Sequence, residues 1–315
     1  MKFRTFALLL ISILTWGMVR AQEPLNVVVT YSILGDIVQN VAGDAVNLTV
    51  LVGADSDSHT YEPSPQDAIT LSEADLIIEN GLEFETWLDD LVAASQSGAP
   101  RVAVSEGIEP LELSGEHDGE EHENEATAEA THEGEEHGEY DPHIWHSANN
   151  GIIMVENVRV ALVAADPANE ATYNANAEAY TAQLTELNDY IAEQIATIPQ
   201  EQRVIFTSHD TFGYFGAEYG FVVDSALESF STETGDPSAA DIAALITEIQ
   251  ELGINAIFAE NVVNPDLMQQ IADNAGVILA PTLYTDALGA EGSAGATYPG
   301  MLRYNVDTIV SALTQ

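Results

Sequence analysis

The stretch PANEATYNANAEAYTAQLTELNDYIAEQIATIP, residues 167–199, decides how the chain is organised. Its larger apolar side chains recur at helical intervals, and a proline stands at each end of the pattern. The periodic side chains are those of Tyr173, Ala177, Tyr180, Leu184, Leu187, Ile191 and Ile195. About 30 helical residues at 1.5 Å each extend about 45 Å, which is enough to cross a domain. We therefore predict a long rigid helix over 166–199 that joins two lobes.

Short runs of β-branched residues alternate with helical patterns on both sides of this helix. The runs are 25–31, 47–52, 75–80 and 101–104 before it, and 203–208, 221–224, 254–260 and 276–281 after it. Helical patterns lie at 32–41, 83–94 and 238–252, and Ser64-Pro65 starts a further helix. This alternation predicts an α/β fold with a parallel sheet in each lobe. The N-terminal lobe covers 22–165 and the C-terminal lobe 200–315.

The first residues have the features of a secretory signal peptide. Lys2 and Arg4 precede an apolar run over 6–19, and Ala21 stands at a plausible cleavage point. We expect residues 1–21 to be removed and the mature protein to be periplasmic or extracellular. The chain contains no cysteine, so it offers neither a disulfide nor a lipobox cysteine for a lipid anchor.

The composition is strongly acidic. Seven basic residues stand against 52 acidic ones, for a formal net charge of −45. Such a charge repels nucleic acid and anionic membranes and concentrates cations near the surface, so we expect no nucleic-acid partner. An acidic surface suited to a salty environment is the alternative interpretation. Residues 114–139 carry no apolar side chain larger than alanine, which predicts a disordered acidic loop within the N-terminal lobe.

Outside that acidic loop, the chain has four histidines: His59, His143, His146 and His209. The segments that carry them follow apolar strands or lie at loop edges, and Asp286 follows the last predicted strand. Ligands of open α/β sheets gather beyond the carboxyl ends of the strands. Three imidazoles and one carboxylate suit four-coordinate Zn²⁺. A single histidine of this kind is more often a surface or hydrogen-bonded residue, so the surrounding motifs matter.

Those motifs resemble the zinc and manganese solute-binding proteins of ABC importers, the cluster A-I family. They are GADSDSHTYEPSP (53–65), DPHIW (141–145), DPANEATYNANAEAY (166–180), TSHDTFGYFGAEYG (207–220), GDPSAADIAALI (235–246) and LYTDALG (283–289). The resemblance implies two lobes joined by a rigid helix, one metal ion in the cleft, and a membrane permease as partner. The ligands it implies are His59, His143, His209 and Asp286. We expect a monomer.

The third ligand position separates the metals within this resemblance. Members that look like manganese binders carry Glu there, whereas zinc-like members carry His, as His209 does here; imidazole also favours Zn²⁺ over Mn²⁺. Water or Glu62 is an alternative to Asp286. His146 stands where the family usually has leucine, and we interpret it as a partly exposed histidine beside a full site, with an auxiliary metal role as the alternative.

The acidic loop resembles the variable loop of zinc-type members. Four histidines, His117, His122, His132 and His137, are weak auxiliary ligands that raise the effective concentration of zinc near the cleft. The alternative is a solvated linker in which these histidines are incidental.

We expect no enzymatic activity. The sequence has no HExxH helix, no Ser/His/Asp motif, no phosphate-binding glycine loop and no dinucleotide fingerprint. Three alternatives stay open: a manganese- or iron-binding member of the same family, a secreted zinc-dependent hydrolase, and a secreted metal buffer without a permease. A catalytic zinc keeps an open position for water, which Asp286 would fill here. Deleting the permease would distinguish an importer component from a buffer.

Overall fold

The computed structural model describes residues 23–112, 140–224 and 238–314. The predicted signal peptide at 1–21 lies outside these ranges, as does the predicted acidic loop at 114–139 with His117, His122, His132 and His137. Within the described ranges, no helix combines the length and the apolar character needed to cross a membrane.

The N-terminal lobe contains a parallel sheet of four strands. They are β1 (Leu25–Tyr31), β2 (Val46–Val52), β3 (Leu76–Glu79) and β4 (Arg101–Ala103), in the spatial order β2-β1-β3-β4. Val27 of β1 pairs with Leu48 on one side and Leu76 on the other. The residues of β1 from Val27 onward are buried, as expected for a central strand with helices on both faces.

Four helices accompany this sheet: α1 (Ser32–Ala42), α2 (Pro65–Ser72), α3 (Leu88–Ser95) and α4 (Ala148–Ala165). A capping box formed by Ser64 and Asp67 starts α2, with Pro65 at the first helical position, as predicted. The helix predicted from residue 83 is wrong at its start, because Leu82 and Glu83 adopt left-handed backbone angles, with φ of 55° and 58°. The helical hydrogen-bond pattern therefore begins only at α3.

The linker helix α5 runs from Glu170 to Ile195 and follows a 3₁₀ turn at Pro167–Asn169. It is therefore shorter than the predicted 166–199. Its buried residues are the seven periodic side chains named from the sequence. The helix packs against α1 and α4 of the N-terminal lobe.

The C-terminal lobe contains two parallel strand pairs. The strands are β5 (Val204–Phe206) with β6 (Val222–Asp224), and β7 (Ala256–Glu260) with β8 (Ile278–Leu283). Its helices are α6 (Gly213–Tyr219), α7 (Ala239–Glu251), α8 (Asp266–Ala275) and α9 (Tyr298–Leu313). The predicted α/β class with parallel strands in both lobes is confirmed. Among the described residues these strands form two short sheets, and not the single sheet that the sequence predicts.

The two lobes and the linker helix share a hydrophobic core. A continuous cluster of buried side chains extends from β1 through α5 to α9. A polar contact joins the same three parts: Asp36 on α1 accepts a hydrogen bond from the Tyr180 hydroxyl on α5 and another from the Tyr298 backbone N–H on α9, both at 3.0 Å. The linker helix is thus packed on both lobes at once.

Candidate metal centre

The four predicted ligand residues meet in the cleft between the lobes. His59 lies in the loop between β2 and α2, and His143 immediately precedes a 3₁₀ turn, Ile144–His146. His209 follows β5, and Asp286 follows β8. One ligand atom from each residue can be chosen such that all four atoms lie within 4.8 Å of one another. Each lobe contributes two of them.

The distances between these atoms suit a single small cation. The Nε2 atoms of His59 and His143 are 3.1 Å apart, and His209 Nε2 is 3.0 Å from Asp286 Oδ2. His59 Nε2 is 3.7 Å from the same carboxylate oxygen. A tetrahedral ion with bonds of about 2.0–2.1 Å separates its ligand atoms by roughly 3.3 Å. The group therefore has the size of a four-coordinate site without rearrangement of the backbone.

Burying these side chains costs free energy when no cation is bound. Asp286 is fully buried, and His143 and His209 are nearly so. His209 Nδ1, which lies against Glu260, lacks a well-directed hydrogen bond within the described residues, and so do two atoms that face the cleft, His209 Nε2 and Asp286 Oδ2. Buried polar atoms without partners cost about 1–3 kcal/mol each. A bound cation satisfies both atoms, so the residues present fit a metal ion.

Two carboxylates orient the imidazole rings. Asp141 Oδ1 lies 2.7 Å from His143 Nδ1 and also accepts the His143 backbone N–H at 2.8 Å. Glu260 Oε2 lies 2.5 Å from His209 Nδ1, and its Oε1 accepts the His209 backbone N–H at 3.0 Å. A carboxylate next to Nδ1 holds the proton there and leaves Nε2 free to bind a metal. Both rings therefore present their metal-binding nitrogen to the cleft.

The charged groups of the cluster shift one another's pKa values. Burial alone lowers the pKa of His143, but the hydrogen bond and charge of Asp141 outweigh it and raise the pKa. The pKa of His209 is raised well above its usual value against the effect of burial, by Glu260 and then Asp286. Burial opposes ionisation of Asp286, yet the three imidazoles hold its pKa well below the usual range. The Asp286 carboxylate is thus ready to bind a cation.

Aromatic rings form the wall of the site on the N-terminal side. Phe84 meets the ring of His59 edge to face, with centroids 4.9 Å apart. Trp145 packs in the same manner on His143, with centroids 5.4 Å apart, and its Nε1 donates to the Thr285 carbonyl at 2.8 Å. That hydrogen bond connects the turn after His143 to the segment that carries Asp286, which fixes two ligands from opposite lobes relative to each other.

Glu62 and His146, the two other candidates within the described residues, do not belong to the group of four ligand residues. Glu62 is exposed and does not belong to the group of four ligand atoms. The interpretation of His146 as partly exposed is wrong, because its side chain is fully buried. Its ring packs against Phe212 at a tilt of 33°, with centroids 4.4 Å apart, and its Nε2 contacts the Thr211 hydroxyl. Burial, with a smaller contribution from His143, lowers the pKa of His146 to about 3.

Sequence reasoning missed Asp141 and Glu260 as partners of the histidines. Asp141 stands two residues before His143 in the DPHIW motif, which is a local signal that was available. Glu260 is the last residue of a buried strand, β7, where a charged side chain is unusual and points to a specific partner. Its partner His209 lies 51 positions earlier, so the pairing itself depends on the tertiary fold.

A cluster of three imidazoles and one carboxylate, enclosed between two α/β lobes, defines a protein with a divalent-metal site in its interlobe cleft. The family model described as "ZnuA: Zinc-uptake complex component A periplasmic" matches residues 27–312. The chain belongs to this family, the zinc and manganese solute-binding proteins of ABC importers, and the resemblance seen in the sequence motifs is confirmed.

Named relatives cover both metals. The manganese-binding lipoprotein MntA of Halalkalibacterium halodurans is 39% identical over 93% of this chain and 90% of its own length. The periplasmic zinc-binding protein TroA of Treponema pallidum has a TM-score of 0.80 and 30% identity, covering 92% of this chain and 99% of that one. An Mn-bound periplasmic metal-binding protein of Candidatus Liberibacter asiaticus has a TM-score of 0.76 and 30% identity, covering 91% and 98%.

Proposed function

We propose that this protein captures Zn²⁺ outside the cytoplasm and delivers it to the membrane permease of an ABC importer. The observation that carries the choice of metal is the third ligand, His209, whose Nε2 stands 3.0 Å from Asp286. The four residues then offer three neutral nitrogens and a single carboxylate. That donor set favours zinc, whereas manganese takes harder oxygen donors.

Binding without catalysis is part of the proposal. A catalytic zinc keeps one coordination position open for water, usually next to a general base. Here four side chains stand ready, and Asp141 and Glu260 are engaged with the backbone and Nδ1 atoms of their histidines. The site therefore supports the function of a carrier, and not that of a hydrolase.

Manganese is the second candidate cargo, supported by names of relatives. A relative 39% identical to this chain is named as manganese-binding, and a similar solved structure is described as Mn-bound.

Location outside the cytoplasm is supported by the signal-peptide features of the first residues and by relatives named as lipoproteins or periplasmic proteins.

The test is competition between the two metals on the metal-free protein. With the free zinc concentration buffered by a chelator, one Zn²⁺ ion should bind tightly per chain and should displace Mn²⁺. Tighter binding of manganese under the same conditions would assign the chain to the second candidate. In cells, zinc-limited growth should fail when either this protein or its permease is removed. A metal buffer would retain its effect without the permease.

Replacing Glu260 with Gln should weaken zinc binding by about 10- to 100-fold, the usual cost of losing a residue that hydrogen-bonds to a metal ligand. The amide cannot accept all the bonds that the carboxylate accepts from Ser208, His209 and Thr285. Chelator competition gives the dissociation constant. Glu251→Gln, an exposed change of the same kind on α7, is the matched control. Equal dissociation constants for the two variants would show that Glu260 does not contribute to zinc binding.

Zinc affinity should decline as the pH falls, starting at a higher pH than the ordinary histidine value of about 6.5. Metal binding needs neutral imidazoles, and the raised pKa values of His143 and His209 keep these rings protonated to a higher pH. Apparent dissociation constants measured across a pH series test this. A decline that begins only below the ordinary value would contradict it.

Deleting residues 115–139 should leave the tight site intact while weaker zinc equivalents disappear. The deletion removes four histidines and eleven acidic residues but none of the four cleft ligands. Glu112 and Tyr140 form an antiparallel bridge, so the shortened connection of two residues has the length of a tight hairpin loop. Calorimetry counts the sites. Loss of the tight site would mean that the deleted segment supplies a ligand.

A further inference from the structure

His146 is a buried histidine beside the metal centre that the four-ligand site does not use. It follows His143 by three positions, on the 3₁₀ turn, and its ring is enclosed by Trp145 and Phe212. It is not among the four residues whose ligand atoms cluster in the cleft. Burying an imidazole costs free energy unless its nitrogens are used, so its hydrogen bond within the described residues indicates its role.

That contact starts a chain of hydrogen bonds that ends on a metal ligand. His146 Nε2 lies 3.1 Å from the Thr211 hydroxyl, and the same hydroxyl donates to Asp286 Oδ1 at 3.3 Å. All three side chains are fully buried. An ionised carboxylate only accepts, so the single hydroxyl proton of Thr211 goes to Asp286. The hydroxyl oxygen then accepts a hydrogen bond from the Nε2–H of His146.

The other nitrogen of His146 is consistent with this direction. Its Nδ1 is buried and has no hydrogen-bond partner within the described residues. An N–H donor there would be left unsatisfied, which is costly, whereas a bare lone pair is the less expensive state to bury. His146 is therefore neutral with its proton on Nε2, and the ring serves as a donor to Thr211.

The two oxygens of Asp286 consequently have different environments. Oδ1 accepts the hydrogen bond from Thr211 and lies 3.7 Å from His143 Nε2. Oδ2 has no hydrogen-bond partner within the described residues and lies 3.0 Å from His209 Nε2 and 3.7 Å from His59 Nε2. A carboxylate that binds through one oxygen gives a four-coordinate ion, and one that binds through both raises the coordination number. Zinc prefers the first arrangement and manganese the second.

We propose that His146, acting through Thr211, positions Asp286 so that Oδ2 alone binds the metal, and that it thereby increases the preference for zinc over manganese. This inference rests on the proposed function, because it explains the selectivity of the same site. His146 is a positioning residue and not a ligand.

The experiment compares His146→Leu, Thr211→Val and the double variant. Each single change should lower the ratio of zinc to manganese affinity by about tenfold, the lower end of the range for residues that orient a metal ligand. The double variant should do no more than either single change, because both residues act in one chain. Thr308→Val, a buried threonine on α9 away from the site, is the matched control and should leave the ratio unchanged.

Two spectroscopic measurements separate positioning from mere packing. With Co²⁺ in the site, the visible absorption should be intense in the wild type and weaker in both variants, as the ion gains a further oxygen. Nitrogen NMR of the metal-free wild type should find the His146 proton on Nε2. A proton on Nδ1, unchanged affinity ratios or additive effects would overturn the proposal. Should His146→Leu fail to fold, Thr211→Val and the NMR measurement still decide.

Failure of this inference can be distinguished from failure of the proposed function. A wild-type protein that prefers zinc, with variants that keep the same ratio, would overturn only the role of His146. A wild-type protein that prefers manganese would overturn the proposed cargo and, with it, the selectivity argued for His146.

Discussion

Replacing His143 with Ala should weaken zinc binding by more than about 100-fold. Loss of a residue that only orients a ligand already costs about 10- to 100-fold, and this change removes a ligand itself. It also leaves Asp141 without the imidazole 2.7 Å away, and it opens a cavity against Trp145. Titration against a zinc chelator gives the dissociation constant.

His132→Ala is the matched control, because it removes a histidine of the predicted acidic loop and should leave the tight dissociation constant unchanged. Circular dichroism of the metal-free His143→Ala protein checks that the fold is retained. An unchanged constant in this folded variant would exclude His143 as a ligand and weaken the assignment of the remaining three.

His209→Glu should shift metal preference toward manganese by at least about tenfold. The change replaces a nitrogen donor with a charged oxygen donor, which suits the harder ion. Structure adds a second effect: the introduced carboxylate lies close to Glu260 and Asp286, both buried. Three carboxylates in one buried space repel one another, so the metal-free variant should be less stable and gain more stability from any bound cation.

Competition binding of the two metals measures the ratio, and thermal unfolding with and without metal measures the stabilisation. His209→Gln is the companion variant, since it supplies an oxygen or nitrogen donor of similar size without the charge. A ratio that stays constant or moves toward zinc in His209→Glu would show that position 209 does not select the metal.

The strands could be predicted from the sequence because β-propensity is a local property of their residues. Runs such as LNVVVTY have strong β-propensity, and the structure forms β1 over those same residues. The linker helix was readable for a similar reason, since its buried face repeats from Tyr173 to Ile195. Its ends were less accurate, because the turn at Pro167–Asn169 tightens into a 3₁₀ helix.

Features that depend on residues distant in the sequence could not be predicted from the sequence. The start of α3 was misplaced because the Glu85 carboxylate accepts hydrogen bonds from the backbone of Asn80 and Gly81, which holds the preceding segment out of the helix. The burial of His146 depends on Phe212, far along the chain. The four cleft residues came from sequence motifs, whereas the carboxylate that orients His209 emerged only from the fold.

The core that both lobes share through the linker helix should also affect resistance to proteolysis. The largest buried cluster and the Asp36 junction span both lobes, beside a smaller separate cluster in each lobe, so opening one lobe disrupts packing that it shares with the other. A metal ion at 1,000 times its dissociation constant stabilises the folded state by about 4 kcal/mol. Since proteases cut the opened chain, that stabilisation lowers cleavage at sites that become accessible only when the shared core opens. We therefore expect proteases to cleave the metal-free protein faster than the metal-loaded protein.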